Sequence, residues 1–247
     1  MVKYKAVIAY DGTDFKGFQR QNDQRTVQGE LEKTLYRLNG RHEVVVHGSG
    51  RTDAGVHALG QVIHFEMQGR RDEEKLRFAL DTQSPDDMSI ISVEEVAADF
   101  HSRYCPHEKV YCYRVDLNRS RSPFKRRYAA HFPYKLDIEA MRQGAKVLEG
   151  THDFTSFCAT GSSVEDKVRT IYHIDIQLDE AKNELLMTYY GNGFLYKMVR
   201  LMTGTLLRLG NGRLNEDIQT ILDRKDQNQV LWTAPAEGLY LVEVKYK

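Results

Sequence analysis

Two stretches of period-two alternation, at residues 2–10 and 109–117, constrain this chain more than any other feature, because each opens a similar succession of elements. In the second stretch Tyr111, Tyr113, Val115 and Leu117 fall on one face of an extended strand. After the first, apolar spacing becomes helical at Val27, Leu31, Leu35 and Leu38, with Thr26 positioned to cap the helix. Strand-like runs follow at 43–47 and 61–67, then a short helix over 73–80 with Leu76, Ala79 and Leu80 on one face, and a strand at 90–93. After the second stretch, Asp137 precedes the helical set Ile138, Met141, Ala145 and Leu148. Strands are expected at 168–178 and 184–190. A longer helix carries Met198, Leu201, Met202, Thr205 and Leu209, a shorter one Ile218, Ile221 and Leu222, and a strand over 239–246 closes the chain. Strands outnumber helices and several are consecutive. This predicts an α+β fold with mixed or antiparallel sheets flanked by helices, rather than alternating parallel units. Two similar halves are expected, residues 1–104 and 105–247.

A chain of 247 residues with 41% apolar side chains can bury one large core or two smaller ones. No apolar run approaches the length needed to span a bilayer, and the N-terminus reads as the start of a strand, not a signal peptide. Cys105, Cys112 and Cys158 are an odd count, which argues against a disulfide framework and for a reducing, cytoplasmic setting. The 35 basic and 35 acidic residues cancel, so the chain lacks the overall positive charge typical of nucleic-acid binders. Distribution tells a different story. Arg119, Arg121, Lys125, Arg126 and Arg127 lie within nine residues; Arg20 and Arg25 flank a polar loop; Arg70 and Arg71 follow Gly69. Such segments either form local phosphate-binding surfaces or are solvated loops.

Three places have the residue types for chemistry. The octapeptide Gly50-Arg51-Thr52-Asp53-Ala54-Gly55-Val56-His57 sets one carboxylate on a glycine-flanked loop between two expected strands, where rigid elements can aim it. Taken alone, an Asp in such a setting is as readily a turn residue. Tyr111 and Tyr113, preceded by Lys109, make either a core face or an aromatic platform for a base. In the run from Gly191 to Arg200 a turn feeds the long helix. Arg200 lies two residues past Met198, about 200° around the helix from that core position. It is either an exposed charge or a two-pronged partner for a carboxylate. The spacing of His101, Cys105, His107 and Cys112 does not match a usual zinc pattern, and no metal is expected there. Dinucleotide and phosphate-loop glycine motifs and a G-x-S-x-G nucleophile elbow are missing from the sequence.

Taken in order, these segments resemble the tRNA pseudouridine synthase A (TruA) family, nearly end to end. The resemblance rests on Tyr10-Asp11-Gly12-Thr13 with Phe15, Gly17 and Gln19, and on Arg25-Thr26-Val27-Gln28-Gly29-Glu30-Leu31. It continues through the Asp53 octapeptide, Asp99-Phe100-His101, Lys109 with Tyr111 and Tyr113, and Asp153-Phe154-Thr155-Ser156-Phe157. Lys167-Val168-Arg169, the Gly191–Arg200 block and Ala234-Pro235-Ala236-Glu237-Gly238-Leu239-Tyr240-Leu241 complete it. Phe18 stands where many members carry Trp, and Cys105-Pro106-His107-Glu108 is less typical.

The resemblance implies two α+β halves with an active-site cleft between them, working as a homodimer on tRNA. It implies isomerisation of uridine to pseudouridine in the anticodon stem-loop, at positions 38, 39 and 40, with no cofactor, metal or second substrate. Asp53 matches the catalytic aspartate, which acts either on the sugar carbon or through a glycal path. Tyr111 matches a tyrosine that stacks on the uracil and is a candidate for proton transfer. Arg200 matches the arginine that pairs with the aspartate. Arg51, Arg169 and Phe194 are carried over as substrate contacts. A competing reading, a protein that holds tRNA without modifying it, is disfavoured by the joint presence of Asp53, Tyr111 and Arg200.

Overall fold

In a computed structural model, residues 1–105, 107–162, 164–229 and 231–246 are described. Pro106, part of the atypical segment before the Tyr111 strand, lies outside them. In chain order the elements are β1 (Val2–Tyr10), α1 (Val27–Leu38), β2 (His47–Gly48), β3 (His57–Met67), α2 (Glu73–Gln83), β4 (Met88–Glu95), β5 (His107–Asp116) and β6 (Ala130–His131). Then come α3 (Ile138–Leu148), β7 (Gly150–Asp153), β8 (Val168–Asp179), β9 (Glu184–Gly191), α4 (Met198–Gly210), α5 (Ile218–Arg224) and β10 (Leu239–Tyr246). The fold is α+β, as the alternation predicts.

Helix starts follow local chemistry. Thr26, Asp72, Asp137 and Asp217 each sit in extended backbone and accept the N–H three residues on, satisfying a donor that the first turn leaves orphaned. The apolar sets then turn inward. Leu31 and Leu35 of α1, and Met141, Ala145 and Leu148 of α3, are essentially inaccessible. Each of these leucines and Met141 contributes about 1.5–3 kcal/mol by leaving water.

The chain divides into two compact units. Met1–His107 and the chain from Tyr240 onward form the first, and Glu108–Leu239 the second. In the first unit the strand order is β4-β1-β3-β10, with β2 added on β3. β1 runs antiparallel to β3 and β4, and β10 lies parallel to β3, pairing Tyr240 with His57 and Leu241 with Ala58. Alternation puts Tyr4, Ala6, Ile8 and Tyr10 of β1 into the core. In the second unit β5-β9-β8-β7 is antiparallel throughout, with β6 parallel to β5. Tyr113 and Val115 of β5 pack inward with Leu185, Met187 and Tyr189 of β9, while α3 packs against α4 and β8.

Two segments differ from expectation. The strand expected at 43–47 is confined to His47. Val44 and Val46 are buried, but the Val46 backbone is taken up by helix side chains: its N–H donates to Glu32 Oε1 (3.1 Å) and its carbonyl accepts from Gln28 Nε2 (3.1 Å). Apolar periodicity reports burial, and here a helix supplies the partners that a neighbouring strand would otherwise provide. The closing strand from Tyr240 joins the first unit, whereas the sequence division assigns it to the second half; alternation identifies a strand without identifying its neighbour.

Candidate active site

The loop carrying Asp53 leaves β2 and enters β3, and it is pinned on both sides. On entry, Ser49 N donates to Val62 O (2.8 Å), Ser49 Oγ to Gln61 Oε1 (2.7 Å), and Gln61 Nε2 to Gly50 O (3.1 Å). Thr52 is held twice: its carbonyl accepts from Phe18 N (3.0 Å), and its hydroxyl lies 2.8 Å from the Tyr10 hydroxyl. Burial pushes the Tyr10 hydroxyl up to about 12, so it stays protonated as a hydrogen-bonding group. On exit, Val56 N donates to Asp53 O (3.2 Å) and Gly55 N to Phe15 O (3.3 Å). His57, buried, accepts from Gly12 N at Nδ1 (3.1 Å) and stacks on Tyr240 with ring centroids 4.7 Å apart. Asp53 itself is half-buried between exposed Arg51 and Ala54.

The brace depends on backbone approaching backbone. A Cβ on Gly12 would stand 2.0 Å from the Val56 carbonyl oxygen, and one on Gly17, whose φ is +93°, would stand 2.9 Å from the Thr52 oxygen. Only glycine meets both demands. The segment 10–18 thus acts as a clamp on the acid's loop, and Tyr10, Gly12, Gly17, Gln61 and His57 are bracing residues that motif reading did not assign. Polar side chains at inward positions of predicted strands, Tyr10 and Gln61, were the available signal.

The other predicted residues lie in the second unit. Tyr111 on β5 is buried and meets the edge of the Phe194 ring at 5.1 Å and 81°. Phe194 is set by the turn after β9, where Asn192 Oδ1 accepts from Thr170 N and Asn192 N donates to Thr170 O. A Cβ on Gly193 would meet the Arg169 Nε at 3.6 Å. Arg169 also donates from its guanidinium to the Val168 and Asp166 carbonyls. Tyr111, Phe194 and Arg169 therefore gather around one turn. Tyr113 takes the structural role: its hydroxyl donates to Pro235 O (2.7 Å), and burial holds its pKa well above the usual tyrosine range. Arg200, half-buried on α4, donates from Nε to Ala234 O (2.8 Å), while Ala234 N donates to Arg200 O (3.1 Å). Gly204, one turn on, lets that segment approach, since a Cβ there would lie 1.9 Å from Trp232 O. Asp53 and Arg51 belong to the first unit; Arg51 is exposed and makes no hydrogen bond or ion pair among the described residues.

Several of the clustered basic residues have structural partners. Arg25 makes a two-pronged pair with Asp87 (2.7 Å each) and covers the Phe15 ring at 4.2 Å. Lys125 reaches Glu184 (2.8 Å) and Asp116 (3.4 Å), both buried, and Arg70 pairs with Glu95 (2.7 Å).

Among the described residues, His47, His64 and His101 form a group with ligand-type nitrogens within 4.8 Å of one another. Of the residues His101, Cys105, His107 and Cys112, the His101 ring meets instead the two distant histidines, while its backbone N–H donates to Cys105 Sγ (3.3 Å). Nδ1 of His64 accepts from Ser102 N (3.1 Å), and Nδ1 of His101 from Arg103 N (3.1 Å). The His64 ring stacks on His47 at 4.8 Å and meets His101 edge-on at 4.5 Å. Burial, with His101, His47 and Lys3 adding to it, holds the His64 pKa down at about 4. The unfolded chain takes up this proton near pH 6.5, the folded chain near 4. The resulting stability is complete above pH 6.5 and drains as pH falls toward 4. Between pH 7 and pH 5 the native chain is predicted to lose about 2 kcal/mol more than His64→Gln, read from denaturant midpoints. Equal losses would remove His64 from this role.

The family described as tRNA pseudouridine synthase matches residues 6–105 and 145–247, which include the Asp53 loop and the Arg200 helix. The chain therefore belongs to the tRNA pseudouridine synthase family. Proteins of Streptococcus pneumoniae strains Taiwan19F-14 and Hungary19A-6, each named tRNA pseudouridine synthase A, are 57% identical to it over 248 aligned positions, covering the whole of both chains.

Proposed function

We propose that this chain converts uridine to pseudouridine in the anticodon stem-loop of tRNA, at positions 38, 39 and 40, with Asp53 as the catalytic carboxylate. The observation that carries the reading is a single half-buried acid on a loop clamped at both ends, in a chain of this family. The reaction breaks the bond between ribose C1′ and uracil N1 and forms one from C1′ to C5. The proton leaves C5 and N1 gains one, so nothing is oxidised or reduced. Positive charge develops on the sugar as the first bond breaks, and a fixed carboxylate stabilises or traps it. Tyr111, backed by Phe194, is assigned to retaining the detached uracil, and Arg200 to orienting the carboxylate of Asp53 as a planar partner. Arg51 and Arg169 are assigned to the RNA backbone. A uridine in a stem must leave its stack to react, at about a few kcal/mol, and phosphate contacts offset that cost.

The enzyme is assigned to the cytoplasm and to a homodimer. Three free thiols suit a reducing compartment, and two copies give a chain of zero net charge more surface for one tRNA. Among the described residues no helix is long and apolar enough to cross a membrane.

Incubating unmodified tRNA transcripts with the protein and no added cofactor, then mapping pseudouridine, tests the proposal. Pseudouridine at positions 38–40 is expected; unmodified RNA at every position would overturn it.

A further inference from the structure

We propose that the surface loop 119–128 is an RNA-contact site in its own right, with Phe124 stacking on an unpaired base and Arg121 and Arg126 holding the adjoining phosphates. The inference rests on the tRNA-directed reading above and adds a surface to it that the Asp53 chemistry does not require.

Phe124 is 89% exposed, the most exposed of the large apolar side chains described. Its neighbours Arg119, Arg121, Arg126 and Arg127 are exposed as well. Between Asp116 and Asp137 the chain has six Lys and Arg residues and no Asp or Glu, in a protein whose charges cancel overall. The loop is built, not loose. Lys125, in its centre, turns inward: its ammonium reaches Glu184 and Asp116 and donates to Lys182 O (3.2 Å). Lys125 N donates to Ser122 O (3.2 Å), Tyr128 N to Lys125 O (2.8 Å), and Arg126 to Pro123 O (2.7 Å). With the central lysine tied down, its sequence neighbours Phe124 and Arg126 are left facing solvent.

An aromatic ring fixed among arginines suits single-stranded RNA, because every base has a face to stack and every nucleotide a phosphate to pair. It suits a second copy of this chain poorly. A two-fold contact would set the arginines of one loop against those of the other. Preorganisation by the Lys125 tether lowers the ordering cost of binding.

Equilibrium binding of an unmodified tRNA transcript, measured over a range of salt concentrations, tests this with the full chain and three variants. Phe124→Ala is expected to weaken binding by about tenfold with unchanged oligomeric mass. Arg121→Gln with Arg126→Gln should lower the salt slope by about two. Phe124→Trp should retain affinity, and its fluorescence should be quenched by RNA; the only other tryptophan is Trp232. Unchanged affinity in Phe124→Ala overturns the proposal, as does a changed oligomeric mass, which would assign the loop to a subunit contact. If the native chain forms pseudouridine while Phe124→Ala binds tRNA normally, only the loop assignment fails. If the native chain forms none while Phe124→Ala loses affinity, only the catalytic reading fails.

Discussion

Asp53→Asn is expected to lower pseudouridine formation by about a thousandfold or more while leaving tRNA affinity within about twofold of the native chain. The substitution keeps shape and removes charge. A carboxylate beside the sugar acts on charge that exists only as the glycosidic bond breaks, so its loss falls on turnover and not on binding. A thousandfold drop corresponds to about 4 kcal/mol of transition-state stabilisation, a reasonable share for one fixed ionic group. The variant should also fold normally, because the loop is held through Thr52, Gly55 and His57 and not only through the acid. Single-turnover measurement of tritium release from C5-labelled uridine in tRNA, alongside filter binding, reads both quantities. Turnover close to native would exclude Asp53 as the catalytic group.

Gly12→Ala is predicted to be nearly as damaging with the acid untouched. The new methyl would lie 2.0 Å from the Val56 oxygen and 2.4 Å from its carbonyl carbon, and backbone atoms cannot swing aside as a side chain can. Either residues 10–18 or the loop 50–57 must move, and the Gly12 N–H bond to His57 goes with them. Overpacking of this severity costs about 3 kcal/mol or more. A shift of the acid by about 1 Å costs about a hundredfold in rate. Denaturant midpoints and turnover should both fall; native values for both would show that the clamp has slack.

The contrast between these two variants marks what could be read from the chain. The setting of Asp53, one acid among glycines between two apolar runs, is local, yet alone it suits a turn residue as readily; the end-to-end resemblance is what singled it out. Gly12 was legible as part of a motif, but its purpose was not, since its partner Val56 is distant in sequence. The same holds for the arginines. Arg25 and Arg126 look alike in the sequence, yet Arg25 is tied to Asp87 and lies over Phe15, while Arg126 is exposed. Lys125, read as one more loop cation, is the anchor that fixes its neighbours outward.

By itself the sequence determined most of the elements, the Thr26 and Asp137 helix caps, the α+β class and the loop carrying the acid. These depend on periodicity and on hydrogen bonds spanning three or four residues. Tertiary structure decided which backbone pairs with which. It gave the Val46 backbone to helix side chains, laid β10 beside β3, drew three histidines together and clamped the Asp53 loop through Tyr10, Gly12 and His57. Those outcomes depend on the shape and desolvation of surfaces that meet only after the chain has folded, and no spacing rule encodes them.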